Sequence, residues 1–124
     1  MKIVVTLALA LACAFAFLAA PAEAQPALGG RYQVNGKNPN GSTYSGTAEI
    51  VVTSNNTCRI TWVTGSTTSA GICMRNRNVF SAAYRMGNLI GLVIYEIRPE
   101  GIIDGIWTVA DQSGVGSEVL TPIR

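Results

Sequence analysis

From Gly30 onward, apolar and polar positions alternate with a period of two, and no helical periodicity appears. Clusters of Gly, Asn, Ser, Asp and Pro interrupt the alternation about every eight to twelve residues, the spacing expected of an all-β sandwich or barrel. The pattern predicts eight strands. The first is Gly30 to Asn35, with Tyr32 and Val34 on one face, and the second is Thr43 to Thr53, with Tyr44, Gly46, Ala48, Ile50 and Val52 together. The third and fourth are the arms of a hairpin over Thr57 to Met74. The fifth is Val79 to Arg85, aligning Phe80, Ala82 and Tyr84, and the sixth is Leu89 to Arg98. The seventh, Ile102 to Ala110, sets Ile103, Gly105, Trp107 and Val109 against Ile102, Asp104, Ile106 and Thr108. The eighth, Val115 to Thr121, ends at Pro122.

The hairpin carries its own register. Gly65-Ser66 is a Gly-first pair suited to a two-residue type II′ turn. With the turn there, Thr64 faces Thr67, Trp62 faces Ser69, Ile60 faces Gly71, and Cys58 faces Cys73. Directly opposed residues of an antiparallel pair lie about 4.5–5.5 Å apart at Cα, within the span of a disulfide. A Cys58–Cys73 disulfide is therefore expected, although parity puts the cysteines at a hydrogen-bonded pair, the less easy site for a bridge.

Strands joined in sequence by short turns most simply form an antiparallel meander. Closure removes two exposed edges, so the expected fold is an all-β, eight-stranded up-and-down barrel, with a two-sheet sandwich as the alternative. The glycines inside strands (Gly46, Gly71, Gly91, Gly105) permit the sharp coiling of a small barrel. The sixth strand is apolar on both faces. One side can line the barrel and the other be covered by a loop, the N-terminal segment or a partner.

The N-terminus reads differently. Lys2 is followed by an apolar run from Ile3 to Ala20, then Pro21 and the small-x-small triplet Ala22-Glu23-Ala24. Residues 1–24 are expected to be a signal peptide cleaved before Gln25, with 25–29 a linker and 30–124 the barrel domain. The run is long enough that an uncleaved anchor is the alternative, and the membrane enters only through it. Cys13 lacks a good lipobox before it and a polar tether after it. Cleavage would remove one of nine basic and one of seven acidic residues and leave the net charge at +2. That weak field, with arginines scattered along the chain, argues against a nucleic-acid partner. Two cysteines remain in an exported chain, an even number that suits an oxidising compartment, periplasmic or extracellular.

The chain has no histidine, so serine triads, cysteine–histidine pairs and the common zinc sites lack their imidazole. No catalytic residue, metal or cofactor is expected. Glu96, Asp104 and Glu118 lie in or near strands, and Glu96 and Asp104 could approach as paired carboxylates for glycoside chemistry. The plainer reading of Glu96 is a solvent-facing side chain or an ion pair with Arg85 or Arg98. Gly36-Lys-Asn-Pro-Asn-Gly41 is no Walker loop, since no Gly-Lys-Ser/Thr opens a helix. It reads as a long hairpin loop or a polar rim over the barrel mouth. Trp62, Trp107, Tyr32, Tyr44, Tyr84 and Tyr95 are core plugs or the lining of a pocket at one end.

Four runs carry a resemblance: Tyr32 to Gly46, Gly91-Leu-Val-Ile-Tyr-Glu96, Asp104-Gly-Ile-Trp107, and Gly114 to Pro122. Together they resemble a group of small exported proteobacterial proteins that automated naming often calls fibronectin-binding. The resemblance implies a periplasmic or secreted β-domain and no particular contact residue. The expected function is a non-enzymatic binding module for a small apolar or amphipathic ligand, or a glycan, at one barrel rim. Asn38, Asn40, Tyr44, Trp62 and Trp107 are its candidate residues. The alternative is an adhesion or envelope protein-interaction module using the outer surface.

Overall fold

The computed structural model describes residues 27–124, so the leader and its cleavage point lie outside the described residues. The chain forms β1 (Gly30–Lys37), β2 (Thr43–Val52), β3 (Thr57–Thr64), β4 (Thr67–Asn76), β5 (Val79–Met86), β6 (Leu89–Ile97), β7 (Ile103–Val109) and β8 (Gly116–Pro122). Each strand pairs antiparallel with the next, and β8 closes on β1 with Val34 opposite Leu120. The fold is thus the closed barrel rather than the sandwich.

The hairpin register holds as its alternation and turn dictate. Thr64 lies opposite Thr67, Trp62 opposite Ser69, Ile60 opposite Gly71 and Cys58 opposite Cys73. The two cysteines form a disulfide with their Cα atoms 4.9 Å apart. Gly65 has φ 62°, the positive value that the first central position of a type II′ turn requires.

The barrel is solid at one end. Ile50, Phe80, Ile97, Ile103 and Leu120 fill the half near the β2–β3, β4–β5 and β6–β7 connections, with Phe80 stacked on Tyr95 at 4.5 Å between centroids. Leu28, in the segment read as a linker, is buried in this core, and its carbonyl accepts a 2.6 Å hydrogen bond from the Tyr32 hydroxyl. This contact satisfies the Leu28 carbonyl where the chain enters the barrel.

From the middle of the barrel to the other end the aromatic rings lie against the wall. Tyr44 is directly opposite Gly36, Tyr84 opposite Gly91, Tyr95 opposite Gly105 and Trp107 opposite Gly116. In each pair a Cβ on the glycine would fall 2.0–2.3 Å from the facing ring. The absent side chain is what lets the ring lie flat across the neighbouring strand, a device known to stabilise strand glycines. Gly46 and Gly71 serve another purpose. A Cβ there would strike the carbonyl oxygens of Val63 and Ala83 at 2.0 and 2.3 Å, so these positions allow tight backbone coiling.

Candidate functional site

Because the rings hug the wall, the open end keeps a central hollow. It is a cup of about 330 Å³, at the small end of ligand pockets. Tyr44, Trp62, Tyr84 and Trp107 form its wall, and Asn38, Thr64 and Thr67 stand at its rim. Trp62 and Tyr84 meet edge to face at 5.4 Å, and Tyr44 and Trp107 at 6.2 Å.

Each ring is fixed by the strand it crosses. Tyr44, from β2, lies over Gly36 of β1, and its hydroxyl points at the Ser117 carbonyl of β8 at a long 3.5 Å. Tyr84, from β5, lies over Gly91 of β6 and donates to the Thr108 carbonyl of β7 at 3.3 Å. The Trp62 indole donates to the Tyr95 hydroxyl at 3.1 Å. Tyr95 already accepts from Trp62, so its own proton is free to turn toward Glu118.

Glu118 is the acid of the cup and is 7 % exposed. Burial pushes its carboxyl up to about 7, and the Tyr95 hydroxyl, within hydrogen-bonding reach, acts in the opposite direction. The phenols around it shift upward too. Burial first, then the Glu118 charge, raise Tyr84 to about 12 and Tyr95 well above its ordinary value. The same two causes raise Tyr44, and the nearby Trp107 indole tempers that rise without reaching hydrogen-bonding geometry. Two buried polar atoms of the cup have no hydrogen-bond partner among the described residues, Glu118 Oε2 and Trp107 Nε1. An unpaired buried acceptor and an unpaired buried donor each cost about 1–3 kcal/mol, which makes them candidates for a ligand's polar atoms. Among the described residues, no basic side chain lines the cup.

Four of the five expected site residues, Asn38, Tyr44, Trp62 and Trp107, line this cup. Asn40 does not. Its side-chain oxygen accepts from the Ser42 backbone N–H at 3.0 Å and from the Ser42 hydroxyl, so it holds the β1–β2 loop together. Asn38 is half-buried at the rim and donates to the Ser42 hydroxyl at 3.0 Å.

The carboxylates expected to approach each other, Glu96 and Asp104, are direct cross-strand neighbours on β6 and β7. They sit on the outer face, and Asp104 is engaged by Arg98. The acid inside the barrel is instead Glu118, which sequence reasoning weighed only in passing. Along β8 the even positions are Gly116, Glu118 and Leu120, and the odd ones Ser117, Val119 and Thr121, so each parity mixes polar with apolar. The signal that could have decided is Leu120, which shares Glu118's face and closes against Val34 and Ile103.

The sequence matches no protein-family model and no curated protein. Among solved structures it is similar to a redesigned β-barrel, with 16% identity, a TM-score of 0.68, and coverage of 78% of this chain and 92% of that one. It is also similar to a fluorescence-activating β-barrel designed de novo, at 12% identity and TM-score 0.63 over 77% of this chain and 93% of that one. A redesigned β-barrel bound to DFHBI aligns at 18% identity and TM-score 0.65, covering 74% and 93% of the two chains. At these identities the likeness is one of fold.

Proposed function

We propose that this protein is an exported, non-enzymatic β-barrel that binds a small amphipathic ligand in the cup at its open end. The observation that carries this reading is the hollow itself, with four aromatic walls and two unpartnered polar atoms inside it. A chain selected for stability alone has little reason to keep an acid with an orphan oxygen inside a barrel. The binding of DFHBI by one redesigned barrel supports the capacity of this architecture to hold a small molecule. The Cys58–Cys73 disulfide and the apolar N-terminal run support export.

Trp62 and Trp107 both line the cup, so the test is a tryptophan-fluorescence titration against lipid and metabolite pools. A saturable shift is expected from some fraction, and it should vanish in the rim variant Thr67→Phe. No shift with any pool, or a shift that survives Thr67→Phe, overturns the reading.

The outer surface favours a second reading. Ile72 and Met74 of β4, Leu92 and Ile94 of β6, and Ile106 of β7 are all exposed. They are linked in register through the small residues Ser81 and Ala83 of β5. Leu92 and Ile94, at 58% and 57% exposure, are the residues that an adhesion or envelope-interaction module would cover with a partner protein.

A further inference from the structure

We propose that the cup recognises a small organic cation, an ammonium-bearing molecule whose N–H donates to Glu118 Oε2 and whose apolar body lies among Trp62, Tyr84 and Trp107. This inference rests on the cup being the binding site and names the chemistry of its ligand.

Three observations point to a cation. First, Glu118 is the acid of the cup, and among the described residues no basic side chain lines it and its buried Oε2 has no partner. A buried carboxylate is stabilised most by an opposite charge that also donates a hydrogen bond. Second, the surrounding surface is made of tryptophan and tyrosine rings, whose faces attract cations and, once water is excluded, contribute to the recognition of alkylammonium groups. Third, an alkylammonium molecule carries its own apolar stem, and the pocket walls are apolar apart from Glu118, the Asn38 amide, the hydroxyls and the orphan indole N–H. Trp107 Nε1 needs an acceptor, so a ligand that also carries a hydroxyl or carbonyl oxygen would fit better than a plain amine.

A neutral ligand is the competing chemistry, because a protonated Glu118 could donate to its carbonyl oxygen. The two differ in sign with pH. The titratable groups facing Glu118 are Tyr44 from β2, Tyr84 from β5 and Tyr95 from β6, all raised. The nearest charged residues on flanking strands, Lys37 and Asp104, lie on the outer face. Between pH 5.5 and 8.5 the change inside the cup therefore belongs to Glu118. A cation binds the carboxylate and is held more tightly as pH rises, while a neutral acceptor binds the acid and is lost.

The experiment compares the isosteric pair phenethylamine and 2-phenylethanol, with 3-phenylpropionate as the anionic control, by calorimetry and tryptophan fluorescence. Phenethylamine is expected to bind best at pH 8.5, with its affinity falling about 30-fold by pH 5.5 as the carboxylate fraction drops. Glu118→Gln should remove that slope and most of the amine's advantage over the alcohol. An amine that binds no better than the alcohol, or more tightly at pH 5.5, overturns the cation while leaving the cup as a binding site. An amine pH slope that survives in Glu118→Gln overturns it in the same way. Silence from all three probes at both tryptophans overturns the cation and leaves the cup reading to the titration against lipid and metabolite pools.

Discussion

At the scale of single residues, Glu118 sets the pH response of the molecule. Its folded pKa is raised from 4.5 to about 7, so the folded state binds its proton more tightly than the unfolded chain does. Below the unfolded value both states are protonated and the group costs nothing. As pH rises through the folded value the proton is lost and stability falls, to a plateau above it. The shift corresponds to about 3 kcal/mol between the two limits. Urea unfolding should therefore give a more stable protein near pH 5 than near pH 8, the reverse of a salt-bridged carboxylate. Glu118→Gln should flatten this segment and exceed the parent in stability at pH 8. An unchanged pH slope in the variant would show that the carboxyl is solvated in the free protein. This residue was poorly legible in the sequence, because a glutamate on a strand whose two parities both mix polar and apolar residues reads as a surface group. Only the tertiary closure of β8 against β1 and β7 turns its face inward.

At the scale of elements, most of the architecture was legible. The β3–β4 register follows from one turn pair and a period of two, and a slip of one residue would have put Trp62 and Ile60 in water. Strand ends moved by only a residue or two, as with β7, expected over Ile102 to Ala110 and found over Ile103–Val109. The glycines were half legible. Their coiling role at Gly46 and Gly71 follows from propensity, but the pairing of each aromatic with the glycine opposite depends on the registers of β1–β2, β5–β6, β6–β7 and β7–β8 together. That pairing creates the hollow, and it can be tested at Gly116. A methyl group there would sit 2.1 Å from the Trp107 ring and push the indole off the wall. Gly116→Ala should cost about 1–3 kcal/mol in overpacking. It should also weaken cup binding and shift the tryptophan emission, because the displaced ring enters the space a ligand would use. If Gly116→Ala binds as the parent does, the hollow does not depend on the ring lying flat.

At the scale of the whole molecule, closure separates two surfaces that an open sheet would have left contiguous. The cup faces one end, inside the ring of strands. The apolar band of β4 to β7 faces outward on one side, whereas the outward positions of β1 are Arg31, Gln33, Asn35 and Lys37. A cation in the cup and a protein on the band would touch different residues, with the β5–β6 wall between them. Mutations more than about 7–10 Å apart without shared partners act additively, so the two surfaces should be separable. Leu92→Lys with Ile94→Lys places two charges on the exposed band without entering the core, since both side chains point outward from β6. This pair should abolish any self-association or partner capture seen by sedimentation and leave phenethylamine affinity within about threefold. Thr67→Phe should do the opposite, losing the amine and keeping the association state. Coupled loss in either variant would mean that the band and the cup communicate through the barrel wall, and that occupancy of one surface governs the other.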